Sequence, residues 1–171
     1  GDLTTFSDEE LRRMNEIWYR ASEDFASFNI DVTTVDPGTF NDFQAIRVSI
    51  GGDGAWGGTP SGGVAFLNSF NNSASNTVFV FTANLANGAA VPTAMNVSHE
   101  AGHAFGLEHH SQFDAAGNFV TEYDPGNARI GPIMGGAFDS ERNIWMNAPT
   151  NVNTTTIQDD LAVITKAANQ S

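Results

Sequence analysis

Cysteine is absent from all 171 residues of the chain. This excludes disulfide bonds, a latency device built on a cysteine within this span, and thiolate ligands for a metal ion. Lysine is nearly absent too, since Lys166 is the single lysine among seven basic residues, against twenty acidic ones. The formal charge of −13 opposes binding to nucleic acid and to anionic membrane surfaces, so we expect neither as a partner.

Long apolar runs are missing as well, and no segment is long enough to span a membrane as a helix. No signal peptide is recognisable in the chain, which starts at Gly1. The length is close to that of one domain with one sizeable core. We therefore expect residues 1–171 to form a single domain and to be a monomer.

All four histidines of the chain lie within twelve residues, at His99, His103, His109 and His110. Histidines with unrelated roles would be scattered, so this clustering favours a shared site. His99 and His103 are four residues apart, which places both rings on one face of a helix. Gly106 can end that helix in a left-handed turn and bring His109 towards the same metal ion.

Three histidine ligands are typical of a catalytic zinc site. Zinc held in this way keeps a water in its fourth position and lowers the pKa of that water to about 7. Glu100 directly follows the first ligand and is the candidate general base. His110 could compete with His109 for the metal, but the spacing favours His109 and leaves His110 a hydrogen-bonded or solvated role.

Residues 99–109 match the pattern HExxHxxGxxH and resemble the signature of the metzincin zinc endopeptidases. The resemblance implies one catalytic zinc ion bound by the three histidines of the pattern, and a polypeptide substrate. It also implies a methionine in a tight turn beneath the metal, for which Met134 in the glycine-rich stretch 131–136 is the candidate. A methionine that only fills a gap in the core is the alternative.

Two shorter similarities are to the matrixin branch of the metzincins. Residues 158–161 resemble the start of the last matrixin helix, which implies that Asp159 or Asp160 binds backbone amides of the Met-turn. Residues 62–66 resemble the glycine-led entry to the strand that borders a matrixin cleft. The branch stays open, because His110 matches none of the residues that commonly follow the third ligand.

The strand implied at residues 62–66 would border the substrate cleft. An extended polypeptide would pair with it through backbone hydrogen bonds, which makes Val64, Ala65 and Phe66 the implied substrate-binding residues. A specificity pocket beside the metal is expected to use residues that follow the Met-turn. The candidates for its wall, each of which could equally be ordinary packing, are Phe138, Ile144 and Trp145.

The rest of the chain is predicted to be an α+β scaffold. Ser7 and Glu10 form a capping box for a first helix from about residue 8. The resemblance implies a metzincin-like catalytic domain with a twisted, mostly parallel sheet, an antiparallel edge strand, an active-site helix and a C-terminal helix. Metzincin domains usually begin with a strand before the first helix, and residues 1–7 leave hardly any room for it, so we expect that strand to be missing here. Residue patterns predict strands at 30–35, 43–50, 64–70 and 77–85, and helices at 92–105 and from about 155.

These features predict a zinc-dependent endopeptidase in which Glu100 acts first as base and then as acid. A zinc hydrolase acting on a non-peptide amide or ester is the alternative. A non-catalytic binding domain would be marked by loss of the glutamate or of a ligand, and neither is lost. Since a hydrolase of peptide bonds is safer outside the cell, we expect secretion. Calcium could bind loop oxygens at 114–118 or 36–38, with plain turns as the alternative.

Overall fold

The computed structural model of the protein describes residues 5–58 and 60–169. Helices and several small sheets are mixed along this part of the chain, in keeping with the predicted α+β class. The helices are α1 (Asp8–Phe25), α2 (Ala90–Phe105) and α3 (Asp160–Ala168). The strands are β1 (Arg47–Ile50), β2 (Gly63–Val64), β3 (Thr77–Val80), β4 (Gln112–Phe113), β5 (Phe119–Thr121), β6 (Ile130–Pro132), β7 (Arg142–Ile144), β8 (Asn147–Pro149) and β9 (Ile157–Asp159).

Helix α1 begins where the capping box predicts. The Ser7 side chain accepts a hydrogen bond from the Glu10 backbone, and the Glu10 carboxylate accepts one from the Ser7 backbone at 2.7 Å. Two donors of the first helical turn are thereby satisfied. Ile17, Ala21 and Phe25 are the buried positions of the helix, and they pack its apolar stripe onto the core.

The main sheet has the strand order β1-β3-β2. Strand β1 pairs in parallel with β3, and the short strand β2 pairs antiparallel with β3 at the edge, where Val64 lies opposite Phe79. With one pairing of each kind, this sheet is not mostly parallel as the resemblance implied. Its strands are also shorter than predicted, because the apolar runs continue into 3-10 turns such as Ser69–Asn71 and Thr82–Asn84.

The strand predicted at residues 30–35 is wrong, because this segment pairs with no strand in the described chain. Its apolar side chains are used differently. Ile30 and Val32 pack against the core, and the indole nitrogen of Trp18 donates to the Val32 carbonyl at 2.6 Å. A side chain of α1 therefore satisfies a backbone carbonyl that would accept from a neighbouring strand if this segment were part of a sheet.

Helix α2 is the central element of the fold and positions the site. It starts at Ala90, two residues before the proline from which it was predicted to run, and most of its residues are buried. One side packs on α1 and β3, where Val80, Leu85 and Val97 belong to one cluster. Phe105 and Ala101 belong to a second cluster with residues of α3.

The region after α2 is less irregular than its glycine and asparagine content predicts. It holds the β4–β5 hairpin, the parallel pair β6–β7 and the antiparallel pair β8–β9. Helix α3 begins at Asp160, later than the predicted start near residue 155, and is capped by Asp159, whose carboxylate accepts from the Ala162 backbone at 3.0 Å. Among the described residues, no helix is both long and apolar enough to cross a membrane.

Candidate metal centre and active site

The three histidines of the motif converge on one point at the end of α2. The Nε2 atom of His103 lies 3.1 Å from that of His99 and 2.9 Å from that of His109. These three side chains are also the one group of potential metal ligands found in the described residues. The rings therefore do not point apart, and their ligand atoms are as close together as neighbouring ligands of one small ion.

Each of these rings is fixed through its other nitrogen. Nδ1 of His99 contacts the Ile133 carbonyl at 2.8 Å, and Nδ1 of His103 contacts the Leu107 carbonyl at 2.6 Å. Nδ1 of His109 contacts the Glu122 carboxylate at 2.7 Å. All three partners are acceptors, so each Nδ1 carries the proton and each Nε2 presents a lone pair.

This donor set fits zinc. Unprotonated nitrogens about 3 Å apart have no hydrogen between them and repel one another, whereas a cation among them turns that repulsion into three bonds. Burial, reinforced by the neighbouring imidazoles, lowers the pKa of His99 to about 3 and of His103 to about 4. Both rings are therefore neutral at physiological pH, which is the form that binds a metal.

The turn after α2 brings the third histidine into place. Gly106 ends the helix with φ of 109°, a left-handed conformation that favours glycine. Its neighbour Leu107 donates from its backbone to the Gly102 carbonyl at 3.0 Å and offers its own carbonyl to His103. The reversal that redirects the chain towards His109 thus also orients the second ligand.

Met134 lies in the 3-10 turn Ile133–Gly135, directly after strand β6. It is fully buried, and a Cβ added to Gly102 would come within 2.7 Å of its sulfur. Gly102, between the two helix ligands, therefore lets the turn pack closely against α2, and a larger residue there would displace the Met134 side chain. The same turn supplies the Ile133 carbonyl that orients His99.

Glu100 is almost fully buried, yet it lines the open side of the site. Burial raises the pKa of its carboxyl group to about 8. Strand β2 passes so close that a Cβ added to Gly63 would lie 2.6 Å from the Glu100 Oε1 and 2.5 Å from the Phe79 carbonyl. A residue without a side chain is therefore required where the edge strand meets this carboxylate.

A cleft of about 820 Å³ runs past the histidines. Val64 and Ala65 line it, while Phe66 is exposed on the coil that follows β2 and is not part of the lining. Of the proposed pocket-wall residues, Phe138 lines the cleft. Trp145 is buried in the core instead, where its ring packs on Phe25 at 5.3 Å. Ile144 lies in β7.

The model of the metallo-peptidase family M12B, reprolysin-like, matches residues 8–163. The chain belongs to this family. Membership implies zinc-dependent hydrolysis of peptide bonds, and the three converging imidazoles agree with it. No curated protein and no solved structure matches the chain.

In this reprolysin-like metallopeptidase, His110 lies outside the group of three converging histidines. It is fully buried, and its Nε2 lies 3.0 Å from Oδ1 of Asp160, which is also fully buried. The His110 backbone donates to the Met134 carbonyl at 3.0 Å. Asp160 also accepts from the Met146 backbone at 3.2 Å, and Gln158 donates to it at 2.9 Å.

This arrangement differs from the prediction that one of the two aspartates binds Met-turn amides directly. Asp159 caps α3, and Asp160 reaches the Met-turn segment only through His110. The physical reason is that the residue after the third ligand is a histidine, whose ring binds the Asp160 carboxylate while its backbone donates to Met134. Gln158 also binds the segment before His109. Its side-chain oxygen accepts from the Glu108 backbone at 2.8 Å, and its side-chain nitrogen donates to the Glu108 carbonyl at 3.0 Å.

Sequence reasoning missed two residues of the site, Glu122 and Tyr123. Glu122 orients His109, and the Tyr123 ring packs on His109 with the ring centroids 4.4 Å apart. Burial, with the charges of Glu122 and Glu100, raises the pKa of Tyr123 above its usual value. No spacing rule links these residues to the motif, since the β4–β5 hairpin lies between. Only a prediction of that hairpin could have found them.

The two loops considered for calcium have their carboxylates in use. Asp114 accepts from the backbones of Ala116 and Asn118 at 2.9 Å, and Asp36 accepts from the Gly38 backbone at 2.7 Å. Both are therefore Asx turns that satisfy their own loops. Calcium binding stays a prediction, as do secretion and the monomeric state.

Proposed function

We propose that the chain is a zinc-dependent endopeptidase that hydrolyses peptide bonds, with His99, His103 and His109 as zinc ligands and Glu100 as general base and acid. The observation that carries the proposal is the convergence of three Nε2 lone pairs beside a buried carboxylate in an open cleft. Family membership supports the peptide as substrate. Met134 serves as the Met-turn residue.

Zinc, when bound, lowers the pKa of a water and polarises the substrate carbonyl. Glu100 takes a proton from the attacking water and delivers it to the leaving amine when the peptide bond breaks. Burial alone keeps the pKa of Glu100 at about 8, so a neutral acid would predominate at pH 7. A divalent cation held by the histidines would favour the carboxylate, the form that acts as base.

The substrate binds as an extended strand along the free edge of β2. Within residues 5–58 and 60–169, β2 pairs with β3 along one edge and with no strand along the other, so backbone groups near Val64 and Ala65 are available to a polypeptide. Such pairing uses the main chain and accepts many sequences. Side-chain selection then falls to the cleft wall, in which Phe138 is an exposed apolar residue.

The test compares wild type with Glu100→Gln, which keeps the size of the side chain and removes the base. Bound zinc is measured by elemental analysis, and cleavage is measured on denatured protein and on small esters and amides. We expect unchanged zinc and a loss of proteolysis of about 100- to 10,000-fold. Glu141→Gln, an exposed glutamate outside the cleft lining, is the matched control.

Full proteolysis by zinc-loaded Glu100→Gln would contradict the role of Glu100. Wild type that cleaves small esters or amides and leaves denatured protein intact would replace the endopeptidase by the non-peptide hydrolase.

A further inference from the structure

The cleft has few side-chain donors for a substrate oxygen, and most are already used. The Ser61 hydroxyl donates to the Gly63 carbonyl at 3.0 Å, and the Asn84 amide donates to two carbonyls at 2.8 Å each. Asn96 is buried and its amide donates to the Pro92 carbonyl at 3.1 Å. The histidines have given their protons to other acceptors, and no lysine or arginine lines the cleft in the described chain.

The hydroxyl of Tyr123 is a side-chain donor that is still uncommitted. Tyr123 lines the cleft, and within residues 5–58 and 60–169 its hydroxyl has no hydrogen-bond partner. A tyrosine hydroxyl is protonated at neutral pH and can donate. An uncommitted side-chain donor beside the metal ligands is available for the substrate.

The ring of Tyr123 lies beside the proposed zinc ligands. It packs against His109 with the ring centroids 4.4 Å apart, and its centroid is 6.4 Å from that of the His99 ring. Gly136 is also close, since a Cβ added there would come within 3.3 Å of the tyrosine ring. The side chain is 45% exposed and lines the cleft, so its hydroxyl is accessible to a group bound next to the ligands.

We propose that Tyr123 donates a hydrogen bond to the scissile carbonyl oxygen as that oxygen gains negative charge. Tyr123 would then be a catalytic residue of the peptidase, an inference that rests on the proposed function. The phenolic proton stays on Tyr123 throughout, so no bond to it forms or breaks. Its benefit is greatest for the tetrahedral, charged state and small for the uncharged substrate, which is what raises turnover.

The experiment compares Tyr123→Phe with Tyr19→Phe. Tyr19 is the other tyrosine of the chain and is exposed on α1, outside the cleft lining. For each variant, kcat and KM are measured on one peptide, and bound zinc is quantified. Calorimetry then measures affinity for a phosphinic peptide, which mimics the tetrahedral anion, and for a non-cleaved product peptide.

For Tyr123→Phe we expect kcat to fall by about 100-fold, with KM changed by less than about 3-fold. Phosphinic peptide affinity should fall by a similar factor to kcat, while zinc content and product affinity stay at wild-type levels. Tyr19→Phe should match wild type in every measurement.

Two results would overturn the inference while leaving the proposed function intact: a kcat for Tyr123→Phe within twofold of Tyr19→Phe, or a loss of zinc that accounts for the loss of activity. The second result would make Tyr123 a support for His109 only. Wild type that cleaves no peptide would overturn both the inference and the proposed function.

Discussion

The two halves of the zinc site are built in different ways. His99 and His103 project from one helix, and backbone carbonyls of Ile133 and Leu107 orient their rings. His109 lies in the coil beyond the helix, and the half-exposed side chain of Glu122 orients it. Helix geometry and main-chain bonds fix the first half, while a side chain that is 13 residues away in sequence fixes the second.

This difference predicts that the two halves differ in stiffness. A ligand held by main-chain groups within a buried helix loses little freedom when it binds a metal. A ligand held by an exposed carboxylate must be ordered by that contact, and solvent competes for it. The helix pair should therefore dominate zinc affinity, and His109 should be the ligand that is released first.

Removal of a helix ligand is the change with the largest expected effect. His103→Ala should weaken zinc binding by more than about 100-fold, beyond the usual effect of changing an outer partner. His109→Ala should weaken it less, because its ring is less preorganised. Competition with a chromogenic chelator measures both affinities. Equal losses of zinc affinity in the two variants would contradict the proposed difference between the two halves of the site.

A change at the edge strand should lower activity and leave the metal in place. In Gly63→Ala the new Cβ would press on Glu100 and on the Phe79 carbonyl at 2.6 and 2.5 Å, so the base is displaced. We expect proteolysis to fall by about 100-fold with zinc content unchanged. Gly57→Ala is the control, since a Cβ there meets nothing within 4 Å. Equal activities of the two variants would contradict the close approach.

The helix half could be predicted from the sequence because its information is local. Spacing of four residues fixes the relative positions of His99 and His103, and Gly106 marks the reversal. The capping box of α1 is local in the same sense. Such features depend on a few neighbouring residues and on backbone geometry, so they can be predicted without knowledge of the tertiary packing.

The other half could not be predicted, because its contacts depend on tertiary packing. Glu122 meets His109 only after the β4–β5 hairpin has folded back, and the pairing of His110 with Asp160 joins two distant segments. The prediction of a strand at residues 30–35 was wrong for a related reason. Its β-branched residues suit a strand, but an indole of α1 satisfies one of its carbonyls instead.

A smaller effect is expected from the support of the third ligand. Glu122→Ala removes the acceptor for Nδ1 of His109 and should lower zinc affinity by about 10- to 100-fold. Glu122→Gln keeps a neutral acceptor and should lower it less. The melting temperature of the chelator-treated protein should not change, since Glu122 is half exposed. Glu141→Gln is the control, and an unchanged zinc affinity in Glu122→Ala would refute the role of the carboxylate.

The smallest expected effect is on stability and comes from Asp24 of α1, which contacts α2 next to the first ligand. Asp24 accepts a hydrogen bond at 2.6 Å from Ser98, the residue before the first ligand, and burial raises its pKa from 3.8 to about 6. The folded protein therefore holds this proton more tightly than the unfolded chain. The resulting stability is complete below about pH 4 and is lost as the pH rises towards 6.

Asp24→Asn keeps an acceptor for Ser98 and cannot ionise, so it should raise stability at pH 7.5 by about 1–2 kcal/mol, or about 2–8 °C in Tm. At pH 4 the difference from wild type should be small. Differences between variants at each pH cancel the shared titration of the histidines. Asp31→Asn, at an exposed aspartate, is the control. Since the change lies behind α2, zinc affinity should stay at the wild-type value, and a gain in stability that is equal at both pH values would show that Asp24 carries no buried charge.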